Sequence, residues 1–100
     1  GFACDVTPGA EIREGLYLPH PLGIVIGHGA KLVGSVSIYQ GVTIGSNKNN
    51  EYPTIHENVR IYPNALIIGK AVLFANATVG AGVFVSRDVT ESASVRSGQP

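Results

Sequence analysis

Charge is what this chain has least of. Asp, Glu, Lys and Arg make up 14% of its 100 residues, well under the usual quarter of a soluble domain. Apolar residues make up 44%, so the deficit is not filled by the polar residues that keep chains disordered. A surface this poor in charge is expected to lie partly against other subunits. The formal net charge is +0 and Lys and Arg form no run, which excludes the basic stripe that nucleic acids and anionic membranes require. No apolar stretch reaches the length of a membrane span, and no signal-peptide pattern opens the chain. Cys4 is the single cysteine; it excludes an internal disulfide framework and fits a reducing compartment such as the cytoplasm. Methionine is absent, even at position 1, so the chain reads as a trimmed piece of a longer gene product. Its length suits one domain, not two.

What is present is a repeat. β-Branched residues and Leu recur at steps of six: Val6, Ile12, Leu18; then Ile26, Leu32, Ile38, Ile44; then Ile55, Ile61, Ile67, Leu73, Val79, Val85. Four residues after these anchors a second, slimmer apolar site recurs, as at Ala10, Leu16, Ala30, Val36, Val42, Val59, Ala65, Ala71, Ala77, Val83 and Val89. A helix would need steps of three and four. Six is a multiple of the strand period of two. The pattern predicts an all-β triangular coil. Each repeat makes one short strand and one corner, three repeats close a turn, and turns stack through strand hydrogen bonds. Anchors fill the interior. Gly and Asn at the corners (Gly9, Gly15, Gly29, Gly41, Asn58, Asn64, Asn76, Gly82) suit sharp or left-handed backbone. A sandwich of short strands would not hold one phase this long.

The phase breaks twice. Leu18 to Ile26 carries two extra residues and Ile44 to Ile55 five. Insertions in a solenoid become external loops, and such loops commonly carry function. They span 19–25 and 45–54. The segment 90–100 leaves the repeat and reads as a C-terminal tail. Exposed coil ends are open sheet edges, so further residues are expected to cap them.

With both insertions in place, the chain resembles the hexapeptide-repeat acyltransferases, specifically the serine acetyltransferase branch and its relatives in surface-polysaccharide gene clusters. The resemblance runs through Asp5-Val6-Thr7-Pro8-Gly9-Ala10-Glu11-Ile12, then Leu18-Pro19-His20-Pro21-Leu22-Gly23-Ile24-Val25-Ile26-Gly27, then Gly41-Val42-Thr43-Ile44-Gly45. Tyr52-Pro53-Thr54-Ile55, Val79-Gly80-Ala81-Gly82-Val83 and the closing Val95-Arg96-Ser97-Gly98-Gln99-Pro100 extend it over nearly the whole chain. It implies a left-handed parallel β-helix over 1–100, without the family's helical N-terminal domain. It also implies a homotrimer and acetyl-coenzyme A as co-substrate.

Acetyl transfer from a thioester to a hydroxyl needs a base, and His titrates near neutrality. A carboxylate often orients such a His and stabilises its imidazolium. Read from the residues alone, His20 and Asp5 fit equally a catalytic dyad or a loop His and a corner acid. The resemblance implies the dyad, since His20 stands where the family's catalytic His does and Asp5 where its carboxylate partner does. His28 and His56 follow anchors and read as surface histidines. A zinc site needs converging histidines, and none is close in sequence to another, so no metal is expected. The resemblance implies that coenzyme A lies in a groove between neighbouring subunits. It places Gly45, Ser46, Ala81 and Gly82 along the pantetheine arm, and Lys48 and Arg96, with Lys70 and Arg87 as weaker candidates, near its phosphates. Serine acetyltransferases carry Arg-His at Glu51-Tyr52 and Asp at Pro19. Those residues hold the amino-acid acceptor, and all three differ here. Glu51 and Tyr52 remain the acceptor candidates, with Tyr52 equally readable as a packing residue.

The expected function is acetyl-coenzyme A-dependent O-acetylation of a hydroxyl on a small molecule or sugar by His general-base catalysis. Serine is then expected to be a poor acceptor. Two alternatives stand beside it: a genuine serine O-acetyltransferase, and a non-catalytic β-helical structural or regulatory subunit.

Overall fold

The computed structural model describes residues 4–13 and 15–98. They form a parallel β-solenoid of about five turns with no helix. The first turn holds β1 (Cys4–Val6), β2 (Glu11–Ile12) and β3 (Leu16–Tyr17), and the second β4 (Ile24–Ile26), β5 (Lys31–Leu32) and β6 (Val36–Ile38). The third holds β7 (Thr43–Gly45), β8 (Thr54–Ile55) and β9 (Val59–Ile61), and the fourth β10 (Leu66–Ile68), β11 (Val72–Leu73) and β12 (Thr78–Val79). The fifth holds β13 (Phe84–Val85) and β14 (Ser94–Val95). Equivalent strands stack in parallel into three sheets: β1-β4-β7-β10-β13, β2-β5-β8-β11 and β3-β6-β9-β12-β14. We call these the first, second and third faces of the prism.

The six-residue series sits inside the prism. Anchors Ile26, Leu32, Ile38, Ile44, Ile55, Ile61, Ile67 and Leu73 are wholly buried, as are the slim residues Ala30, Val42, Val59, Ala65, Ala71 and Ala77. Among the described residues no polar or charged side chain is buried with them. Strand hydrogen bonds already satisfy the backbone, so the interior needs only apolar volume. Ile24 and Pro53 are buried too. Each stands two residues before an anchor and refills the slim site after an insertion. The fixed step of four misses both, because each insertion lengthens that step. Val6 and Ile12 stay 41% and 36% exposed despite their anchor positions, since no described turn stacks beneath the first.

Corners carry the expected left-handed backbone at Gly9, Gly41, Asn58, Asn64, Asn76 and Gly82. The Asn side chain tolerates that region better than other non-glycine residues do. Gly29 does not show it.

The segment after Thr90 is not a separate tail. Val89 bridges Leu73, and Ser94 and Val95 pair with Thr78 and Val79. Leu73 to Val89 is sixteen residues, where Ile55 to Leu73 is eighteen. The phase therefore slips by two, Val89 takes an anchor place, and the coil continues through Val95. Gln99 and Pro100, the end of the family-like closing segment, lie outside the described residues.

Candidate functional site

The two loops flank one face. The first leads from β3 into β4, at the corner where the third face turns into the first. The second leads from β7 to β8, where the first turns into the second. Register places Asp5, Val25, Thr43, Leu66 and Phe84 in one outward column between them. Val25, Leu66 and Phe84 are exposed, as is Leu22 beside them.

His20 is exposed on the first loop, where its carbonyl accepts the Leu22 N–H at 2.8 Å. Asp5 is exposed in register with Val25, and the His20 loop runs directly into the strand that carries Val25. The register thus sets Asp5 one rung from Val25, which follows His20 by five residues. Above this loop a ladder of corners rises. Gly41 N–H donates to Leu22 O at 2.8 Å, Asn64 N–H to Gln40 O at 2.9 Å, and Gly82 N–H to Pro63 O at 2.9 Å. Ser97 Oγ closes it on Ala81 O at 3.4 Å, and Arg96 Cα packs over Gly80. His20, Ala81, Gly82 and Arg96 therefore share one corner. His20's rung and that of Gly82 stand three spacings apart, about 14 Å. The Tyr39 and Tyr62 rings stack between them with centroids 4.8 Å apart. Gln40 Oε1 is buried there and finds no hydrogen-bond partner among the described residues.

Gly45, Ser46, Lys48, Glu51 and Tyr52 lie at the opposite corner. Gly45 ends β7 opposite Ile68, Ser46 is half-buried, and Lys48 is exposed. Asn47 organises the loop. Its Oδ1 accepts the N–H groups of Asn49 and Glu51 at 2.9 and 3.0 Å, and its Nδ2 donates to Glu51 Oε1 at 2.8 Å. Backbone bonds Asn47 N→Glu51 O (3.2 Å) and Asn50 N→Asn47 O (3.0 Å) complete the turn. One Glu51 carboxylate oxygen is thus engaged inside the loop. Tyr52 Oη lies 3.1 Å from His28 Nδ1, with ring centroids 5.0 Å apart and planes at 62°. His56 stacks on Phe74, on a different corner. No cluster of metal-ligating side chains occurs among the described residues.

Sequence reading missed Asn47, Tyr39–Tyr62, Gln40 and the His28–Tyr52 pair. Asn47 carried a signal in the Asn-rich turn, since Asn side chains cap backbone N–H groups two residues on. The others arise from stacking between turns and have no local signature. Within one chain the candidates divide between two corners of the first face.

Comparison with known proteins gives one consistent picture. No family model matches the chain. It is 38% identical over 91 residues to a putative serine acetyltransferase of Schizosaccharomyces pombe, covering 88% of this chain and 34% of that one. It is 33% identical over 94 residues to a serine acetyltransferase of Bacillus licheniformis, covering 91% and 44%. The chain thus spans less than half the length of these relatives. Among solved structures it superposes on serine acetyltransferase isoform 3 of Entamoeba histolytica in complex with cysteine, with TM-score 0.88 at 26% identity, over 99% of this chain and 36% of that one. The enzyme of Neisseria gonorrhoeae in complex with serine gives TM-score 0.84 at 38% identity, over 92% and 39%. That of Brucella abortus in complex with coenzyme A gives 0.83 at 31%, over 95% and 39%. The solenoid is the left-handed parallel β-helix of these structures.

Proposed function

The chain belongs to the hexapeptide-repeat acyltransferase family, in its serine acetyltransferase-like branch, and on that premise we propose that it moves the acetyl group of acetyl-coenzyme A to the hydroxyl of a small acceptor. The observation that carries this reading is His20. It projects from the loop that interrupts the coil, beside the rungs that hold Asp5, in a fold whose Brucella abortus counterpart was solved with coenzyme A.

In this reading a ring nitrogen of His20 takes the acceptor's hydroxyl proton as its oxygen bonds to the thioester carbonyl carbon. The Asp5 carboxylate steadies the imidazolium so formed. The imidazolium then returns its proton to the departing sulfur, which leaves as the free thiol. The pantetheine arm follows the corner above His20, where Ala81 and Gly82 leave the backbone bare. Arg96 at that corner and Lys48 at the other meet phosphates.

The second loop belongs to the same site only if two copies share it, because its residues sit across the first face from His20. A cyclic homotrimer that buries Val25, Leu66 and Phe84 in each seam joins the first loop of one copy to the second loop of its neighbour. The low charge content supports this assembly, and the single cysteine supports a cytoplasmic setting.

Serine is the first acceptor to test, because the relatives share that name. A neutral hydroxyl, as on a sugar, is the second reading. It is favoured by the phenol at Tyr52, by Glu51 being engaged with Asn47, and by Pro19. A pocket without charged partners holds a zwitterion poorly. The deciding measurement is free-thiol release from acetyl-coenzyme A with serine and a panel of sugars. Acceptor-dependent release supports acetyl transfer, and its absence with every acceptor refutes it. Faster turnover of serine than of any sugar rejects the second reading.

A further inference from the structure

We infer that His28 is a positioning residue for the acceptor, acting through Tyr52; the inference rests on the acetyl-transfer reading above. Tyr52 closes the second loop, and its ring lies on a bed that two glycines leave bare. A Cβ on Gly27 would stand 2.5 Å from Tyr52 Cε1, and one on Gly29 would stand 2.2 Å from Cδ2. Both are closer than side chains approach, and the obstacle is a ring with few ways to yield. Gly29 does not have left-handed backbone, so the corner itself does not demand glycine there. The Tyr52 ring does.

Between the glycines, His28 presents Nδ1 to the Tyr52 hydroxyl at 3.1 Å. The phenol is therefore fixed twice, by its ring and by its oxygen. The remainder of the loop is fixed separately by Asn47 and Glu51. A loop staple would need only the ring. The tethered hydroxyl is exposed, and its oxygen keeps hydrogen-bonding capacity to spare. If Nδ1 accepts the phenol proton, both lone pairs of the oxygen remain to accept from an acceptor hydroxyl. If Nδ1–H donates, the phenol proton is free to point outward. In both tautomers a neutral, directional group stands at the edge of the second loop. It grips an acceptor by a hydrogen bond and supplies no ionic partner.

The test uses the full-length protein with Tyr52→Phe, His28→Leu and the double variant. Thiol release is measured at saturating acetyl-coenzyme A, with serine or N-acetylglucosamine as the varied acceptor, whichever the wild type uses faster. Each single variant is expected to lower acceptor kcat/KM about five- to tenfold, chiefly through KM, as loss of one neutral hydrogen bond does. The double variant should be no worse than Tyr52→Phe, because both changes remove the same bond. KM for acetyl-coenzyme A should stay within about twofold. The inference is overturned if both single variants keep acceptor kcat/KM within about twofold of wild type and only melt earlier, or if their losses multiply. A wild-type protein that releases no thiol with either acceptor overturns the acetyl-transfer reading and this inference with it, whereas an active wild type with indifferent variants overturns this inference alone.

Discussion

Asp5 and His20 show what single residues reveal and conceal. The break in the six-residue phase marked the His20 loop, because an insertion has nowhere to go but outward from a stacked coil. Asp5 could be paired with it only through family resemblance, since its rung depends on the size of that insertion. The role of His28 was not legible at all. Tyr52 lies 24 residues away, and their meeting depends on coil register and loop conformation together. At this scale, Asp5→Asn should lower kcat less than His20→Ala, because it disturbs orientation and keeps the base. Steady-state kinetics on both variants check the order, and a larger loss in Asp5→Asn would be inconsistent with the assigned roles. Asn47→Ala removes the acceptor of two backbone N–H groups and the partner of Glu51. It should cost about 1–2 kcal/mol in urea unfolding, and an unchanged midpoint would mean that the loop is held elsewhere.

Strands and corners were the most legible level. An interior anchor cannot move by one residue without turning outward, so the phase in the sequence is the register in the solenoid. The reading failed where that phase slips, between Val85 and Val89, because a fixed step of six cannot follow a turn two residues short. Two expectations follow for these elements. Ile61→Ala opens a cavity in the wholly buried core and should destabilise by about 2–5 kcal/mol. Asn64, at φ 65°, should lose about 1–2 kcal/mol when replaced by Val, whose branched side chain opposes left-handed backbone. Asn64→Gly should be nearly neutral by comparison. Thermal or urea unfolding of the three variants checks both expectations, and equal stability of the Val and Gly variants would discount the corner argument.

At the scale of the molecule, one face carries everything the proposal needs. The first face has both loops at its edges and an apolar column of Val25, Leu66 and Phe84 between them. Low charge content points to a covered surface but to no particular face, and the register supplies the apolar column on which the proposed seam rests. Light scattering on the full-length protein should report a trimer, and a monomer at working concentration would refute the shared seam. The central claim, that this coil transfers acetyl groups with His20 as base, is tested most directly by acceptor-dependent thiol release from acetyl-coenzyme A in wild type and His20→Ala. His20 is exposed on a loop, so its removal leaves no core cavity. The account predicts acceptor-dependent release by wild type and a loss of about a hundred- to ten-thousand-fold in the variant, with melting temperature and coenzyme A affinity retained. Near-normal turnover in His20→Ala, or no acceptor-dependent release by wild type, would contradict it.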